Sequence, residues 1–208
     1  MIITYHGAEM IKLSSGDLTL VFNPISKESK LKPTKFGADI ALVSRNLPEF
    51  NGIQEVTRKD KEPFVIDGPG EYEINGVFVQ GTESKSEYKT AGINTIYSLK
   101  IDDINIVFLG ALSDPKPKMD FIENMDSVDL VFVPIGDDGV LNYEEGYKLA
   151  VSLEPKVIIP IHYEQIGNKD ALKHFIKELG QDVEEQEKFV FKKKDLEAMS
   201  STPIILKA

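Results

Sequence analysis

The feature that most restricts the fold is a change of rhythm along the chain. Short apolar runs joined by tight turns fill the first part, and buried strands alternating with amphipathic helices fill the last third. Ile2 to His6, Glu9 to Leu13 and Leu18 to Phe22 read as the strands of a meander, with Ser14-Ser15-Gly16-Asp17 turning between the second and third. Ile40 to Val43 is a further apolar run, and Phe64 to Ile66 is a buried-strand candidate ending at Asp67-Gly68-Pro69-Gly70. Asn75-Gly76 lies between two strand-like segments and predicts a hairpin, because both central residues of a type I′ turn need positive φ. Thr95 to Ile101 and Asn105 to Leu109 flank Asp102-Asp103 as a second hairpin, whose nearly all-apolar second strand implies burial on both faces.

From Leu130 onward the pattern alternates. Leu130 to Val133 and Val157 to Ile161 are buried strands. Asn142 with Glu145 makes the N-cap and N3 pair of a capping box ahead of Tyr143, Tyr147, Ala150 and Val151 at helical spacing. Leu172, Phe175, Ile176 and Leu179 form a second apolar stripe, with Gly180 at the C′ position. One α/β domain over residues 1–208 is the expectation, with strand entries of βαβ type.

Composition narrows the chemistry. The 208 residues carry 24 Lys+Arg against 34 Asp+Glu, a formal charge of −10, which opposes attraction of the whole surface to nucleic acid or anionic lipid. With no cysteine, thiolate zinc sites, iron-sulfur clusters and cysteine nucleophiles are excluded, and only three histidines remain for imidazole chemistry. No apolar run approaches the ~20 residues that span a bilayer. The opening MIITYHGAEM lacks the basic and apolar segments of a signal peptide, so a cytoplasmic protein is expected.

Three loops follow apolar strands: Ser44 to Gly52, Gly110 to Asp114, and His162 to Glu164. Ordered segments leading into them resemble the metallo-β-lactamase fold, in particular the bacterial branch with the ascorbate-6-phosphate lactonase-like hydrolases. They are Ile3 to Ala8, Val21 to Pro24, Ala38 to Ser44, Pro69 to Glu73, Phe108 to Gly110, Val133 to Gly136 and Pro155 to Tyr163, over roughly residues 1–180. The resemblance implies an α/β fold, a four-layer αβ/βα sandwich of two mixed sheets with helices outside.

Active members of that family hold two zinc ions with about five imidazoles and a bridging carboxylate, so that the cations present one hydroxide to a carbonyl or phosphoryl group. At the matching positions of the first loop this chain has Arg45, Leu47, Glu49 and Phe50. The family's Gly-Asp is Gly110-Ala111, its opening histidine corresponds to Ala8, and Thr82 to Glu87 holds no histidine. His162 alone keeps a family ligand, and Glu49 keeps a carboxylate. No metal, no cofactor and no catalytic residue are therefore expected.

The expectation from these residues is a non-catalytic relative with a cleft lined by Arg45, Glu49, Ser113 and His162. It would bind a small anionic ligand anchored by Arg45, or assemble as a homo-oligomer or with a partner. The alternative is a hydrolase of an ester, lactone or phosphoester with a rearranged site, using one metal on His162, Glu49 and a distal carboxylate, or a metal-free acid/base pair of Glu49 and His162. Nucleic-acid binding is a third reading, disfavoured by charge unless Lys27 to Lys35 and Lys192 to Lys194 share a face; a membrane partner is not expected. The remaining motifs read as structural: His6 in a strand, His174 on a solvent-facing helix surface near Asp170, and Gly136-Asp137-Asp138-Gly139 as a turn.

Overall fold

A computed structural model describes residues 1–120, 125–180 and 183–208. In chain order its strands are β1 (Ile2–Tyr5), β2 (Ile11–Ser15), β3 (Leu18–Phe22), β4 (Ile40–Leu42), β5 (Phe64–Ile66), β6 (Gly70–Ile74), β7 (Val77–Ser86), β8 (Gly92–Ile101), β9 (Ile104–Phe108), β10 (Leu130–Pro134), β11 (Val157–Ile161), β12 (Glu185–Gln186), β13 (Phe189–Val190), β14 (Thr202–Pro203) and β15 (Ile205–Leu206). The helices are α1 (Tyr143–Ser152), α2 (Ala171–Leu179) and the short α3 (Lys193–Leu196). One sheet has the order β13-β1-β2-β3-β4-β5 and the other β14-β11-β10-β9-β8-β7-β6, while β12 and β15 pair separately. Both large sheets are mixed. β3, β4 and β5 run parallel, as do β9, β10, β11 and β14, and the hairpins supply the antiparallel pairs.

The turns form for the reasons legible in the sequence. Asn75 and Gly76 have φ 52° and 75°, and Asp102 and Asp103 have φ 50° and 60°, the left-handed pair that a two-residue hairpin turn needs. Asn142 accepts from the amides of Glu144 and Glu145, both at 3.0 Å, while its own amide donates to Glu145 Oε2 at 3.1 Å, so the capping box closes. Gly180 ends α2 at φ 65°. The hairpin of β7 and β8 is longer than the apolar pattern implies. The polar stretch Gly81 to Ser86 pairs with Gly92 to Tyr97 because its side chains alternate between the sheet interior and solvent.

The two sheets meet through alternate residues of their strands. Phe22 of β3 stacks on Phe108 of β9 at 4.4 Å between ring centres and lies 5.9 Å from Phe132 of β10. The α/β sandwich of two mixed sheets is as expected, but its helical layers are unequal. On the second sheet α1 packs against β10 and α2. The outer face of the first sheet, with Val21 and Ala41, is covered by Ile25, Ala38 and Val56 from loops. The covering stretch carries Pro24, Pro33 and spaced lysines with no helical apolar stripe, so a loop replaces a helix there. Among the described residues no helix is long and apolar enough to cross a membrane.

Two polar ties hold this frame. The buried Tyr97 hydroxyl on β8 lies 2.8 Å from the Val43 carbonyl and 3.0 Å from that of Ile66, joining the second sheet to the ends of β4 and β5. Asp39, just before β4, accepts from the Thr19 amide at 2.9 Å and from Lys61 Nζ at 3.1 Å, with Arg58 at 3.6 Å. Burial pushes its carboxyl up, but the Thr19 amide, Lys61 and Arg58 outweigh burial and hold it below the ordinary carboxylate range. Tyr97→Phe is expected to cost about 1 kcal/mol in urea unfolding, because one hydrogen bond is lost and two buried carbonyls lose a donor. A carboxylate held low in the native state contributes stability above its unfolded value, and that stability is lost as pH falls through the native one. The stability deficit of Asp39→Asn should therefore be largest near neutrality and shrink at pH well below about 3.9.

Candidate functional site

The carboxyl ends of the parallel strands of both sheets gather at one end of the sandwich, where a group of polar side chains is buried. Asn23 follows β3, Ser44 and Arg45 follow β4, and His162 follows β11. Glu9 enters from the turn after β1, and Asn94 from β8. Polar groups buried this deeply need partners. Glu9 Oε1 lies 2.5 Å from His162 Nδ1, and its Oε2 accepts from Asn23 Nδ2 at 2.6 Å. Asn23 Nδ2 also donates to Ser44 Oγ at 2.8 Å, and its Oδ1 accepts the Ser44 amide at 2.7 Å. Glu9 and His162 are both 0% exposed, so Glu9 Oε1 and His162 Nδ1 depend on each other for a partner.

Three residues here hold a strained backbone. Ala8, Asn23 and His162 have φ of 53°, 44° and 59°, a region that costs non-glycine residues of order 1–3 kcal/mol unless the surroundings enforce it. Gly110 has φ 58°, and a Cβ on it would come within 2.7 Å of Asn94 Oδ1 and of Ser44 Cβ, so this loop follows its path only with glycine. Asn94 then holds the loop, donating to the Leu109 carbonyl at 2.9 Å and accepting the Ala111 amide at 3.0 Å.

Among the described residues, two buried side-chain polar atoms have no partner: His162 Nε2 and Glu49 Oε2. Tyr88 packs edge-on to His162, with ring centres 4.7 Å apart at 89°. Tyr88 also lies 5.7 Å from Phe50, in an apolar cluster with Ala111 and Val140. Burial pushes the Tyr88 phenol up, and the carboxylates of Glu49, Glu9 and Asp138 push it further, so the hydroxyl keeps its proton.

Of the four residues singled out in the sequence, Arg45, Glu49 and His162 meet the tip of the β7–β8 hairpin, and Ser113 meets the end of β7 just before it. Arg45 Nη1 donates to Ser86 Oγ and the Tyr88 carbonyl, and Nη2 to the Thr90 carbonyl, each at 2.8 Å. Burial pushes the guanidinium pKa down, with Glu9 and Glu87 opposing. Glu49 Oε1 accepts from Lys89 Nζ at 2.6 Å. Ser113 donates to the Lys85 carbonyl through its amide at 3.0 Å and its hydroxyl at 3.2 Å. His162 touches the tip through Tyr88. The Gly136 to Gly139 turn is a seat for the same tip: the Glu87 amide donates to the Gly139 carbonyl at 3.1 Å, and a Cβ on Gly139 would come within 2.6 Å of the Glu87 backbone. His6 packs on Phe36 and His174 stacks on Tyr143, both away from this floor.

Sequence reasoning missed Glu9 and Tyr88. Glu9 reads as one polar residue of a strand, and only the fold brings it to a histidine 153 positions away. Tyr88 is a lone aromatic in a polar stretch, a signal available without the structure.

The family model described as beta-lactamase superfamily domain matches residues 2–162, and the chain belongs to that family. A UPF0173 metal-dependent hydrolase of Lysinibacillus sphaericus is 24% identical over 197 residues, covering 78% of this chain and 85% of the relative. The UPF0173 metal-dependent hydrolase YtkL of Bacillus subtilis is 25% identical, covering 78% and 86%. A metallo-beta-lactamase superfamily protein from Thermotoga maritima superposes with TM-score 0.75 at 23% identity, covering 99% of this chain and 97% of its own. An isothiocyanate hydrolase from Delia radicum gut bacteria gives 0.67 at 14% identity, covering 92% and 99%. The expectation of a non-catalytic relative is corrected by these findings: relatives matching most of the chain are named hydrolases, and the buried floor presents a carboxylate-oriented imidazole with a free nitrogen.

The relatives' names imply a metal, and the donors here do not fit the family's two-ion centre. Leu47, Phe50 and Ala111, which the resemblance sets against ligand positions, lie in the apolar cluster around Tyr88. Among the described residues no three His, Asp or Glu side chains come together in a group able to hold an ion. Asn94→Ala is expected to destabilise the protein by at least about 2 kcal/mol in urea unfolding, since it leaves the buried Leu109 carbonyl and Ala111 amide without partners.

Proposed function

We propose that the chain is a hydrolase of an ester, lactone or phosphoester, working at the floor formed by His162, Glu9 and Glu49, with His162 as general base. The observation that carries this reading is His162 itself, with Nδ1 fixed by Glu9 and Nε2 buried without a partner. A neutral imidazole that donates from Nδ1 to a carboxylate presents a lone pair at Nε2, the form that takes a proton from water. Glu9 is itself held by Asn23, so the ring is fixed in both tautomer and orientation.

The step is conventional in its balance. Water oxygen bonds to the carbonyl carbon or phosphorus while its proton passes to Nε2. The bond to the leaving oxygen then breaks, and the proton on Nε2 is returned to that oxygen. Glu49 Oε2 is a second acceptor able to orient the water or a substrate hydroxyl. Family membership and the names of the curated relatives support hydrolysis as the reaction class.

The test is a panel of p-nitrophenyl esters and lactones, each with and without a carboxylate or phosphate group, together with bis-p-nitrophenyl phosphate, run on chelator-dialysed protein and on protein given zinc or manganese. Turnover is expected to survive dialysis. His162→Gln should lower kcat/KM by about 10²–10⁴-fold, the usual contribution of a positioned acid/base group, while near-UV dichroism stays unchanged. Turnover that vanishes on dialysis and returns with metal would overturn the His162 assignment, and silence across the panel under both conditions would overturn the hydrolase reading.

A further inference from the structure

We propose that the hairpin tip Ser86 to Thr90 is a displaceable strap, and that the substrate able to displace it carries an anionic group that takes over the guanidinium of Arg45. The proposal deepens the hydrolytic reading by naming a substrate class, and it rests on that reading for what the uncovered floor then does.

His162 is 0% exposed, so a reactant reaches Nε2 only if something packed on it moves. The strap is the segment suited to move. Glu87, Lys89 and Thr90 are exposed, Ser86 and Tyr88 are buried, and the ties that hold the segment down are polar contacts and one aromatic packing contact. Lys89 has φ 58°, a left-handed turn position at the outermost part of the tip. Beneath it lie His162 Nε2 and Glu49 Oε2, two buried polar atoms that the closed arrangement leaves without partners among the described residues. Leaving such groups unmet is unfavourable, and the closed state bears that cost.

The chemistry of the displacing group follows from what holds the strap down. Three N–H groups of Arg45 are satisfied by Ser86 Oγ and by the carbonyls of Tyr88 and Thr90, all of them strap atoms. Lifting the strap removes every one of these acceptors at once from a guanidinium that is only 8% exposed. Water reaching the opened guanidinium replaces these acceptors only one by one, whereas a carboxylate or phosphate meets the fork with paired, charge-assisted hydrogen bonds, so an anionic ligand favours the open arrangement. A neutral ester offers a single uncharged acceptor in exchange, weaker than the three it would displace. Glu49 loses Lys89 in the same movement and accepts from a substrate hydroxyl or water instead. Because the whole chain carries −10, anion affinity at this point has to come from Arg45 locally and not from the general field.

Hydrogen exchange on the full chain tests this without relying on turnover. The Glu87 amide is protected by the Gly139 carbonyl, and the Tyr88 amide by Ser86 Oγ. Phenyl phosphate should speed exchange at both by at least about tenfold, a shift of roughly 1.4 kcal/mol in the opening equilibrium, while benzyl alcohol leaves them unchanged. Arg45→Lys keeps the charge without the fork and should abolish the response. Tyr88→Ala removes the inward anchor and should bind phenyl phosphate about tenfold more tightly, because less free energy goes into opening. Unchanged or slower exchange with phenyl phosphate, an equal response to benzyl alcohol, or no tighter binding by Tyr88→Ala would each overturn the proposal. A protein that shows the exchange response but hydrolyses nothing would remove the catalytic assignment and leave the strap standing. An active protein with a static tip would do the reverse.

Discussion

The contact between Glu9 and His162 is the constraint on which the rest of this end of the molecule depends. Each side chain is wholly buried, and neither has another way to satisfy the atoms they share. Glu9 belongs to the first sheet's turn and His162 to the exit of β11 in the second, so the pair ties the two sheets together where their parallel strands end. Asn23 and Ser44 extend the tie to β3 and β4, which fixes the carboxylate before the imidazole is positioned. A polar network of this kind is stable only when its members are met, and it rigidifies whatever it touches.

Two atoms break that rule, and they lie side by side with the one part of the site that is built like a surface loop. The backbone strain at Ala8, Asn23 and His162 is held in place by the core below. The tip above is held by an arginine, a lysine and a tyrosine. A rigid floor under a cover joined by polar contacts differs from a packed core, where phenylalanines such as Phe22 and Phe108 interlock and do not exchange partners.

Much of the frame was legible from short-range chemistry. Asn75-Gly76 and Asp102-Asp103 specify their turns through φ preference, Asn142 with Glu145 specifies a helix start, and the apolar runs at Val157 and Leu130 specify buried strands. The loops of the site were legible as well, because each follows an apolar strand. The extension of β7 and β8 was not, since the polar run Gly81 to Ser86 becomes a strand only by pairing with a neighbour. The pairings of β12 to β15 near the C-terminus escape for the same reason: two-residue strands have no periodicity of their own. Reading the missing imidazoles as loss of catalysis was the larger error, because ligand positions say what a site cannot hold and nothing of what else converges there.

By itself the sequence determined the two-sheet α/β class, the turn positions, the absence of thiol chemistry, and the loops after apolar strands that carry Arg45, Glu49, Ser113 and His162. These follow from local φ preference, from apolar periodicity and from residue chemistry, all of which act over a few positions. Tertiary structure alone decided that Glu9 is the partner of His162, that Tyr88 covers it, and that Arg45 spends three donors on the strap. Those facts depend on which strand ends the folded sheets bring together, and no spacing along a chain encodes a distance between residues 9 and 162.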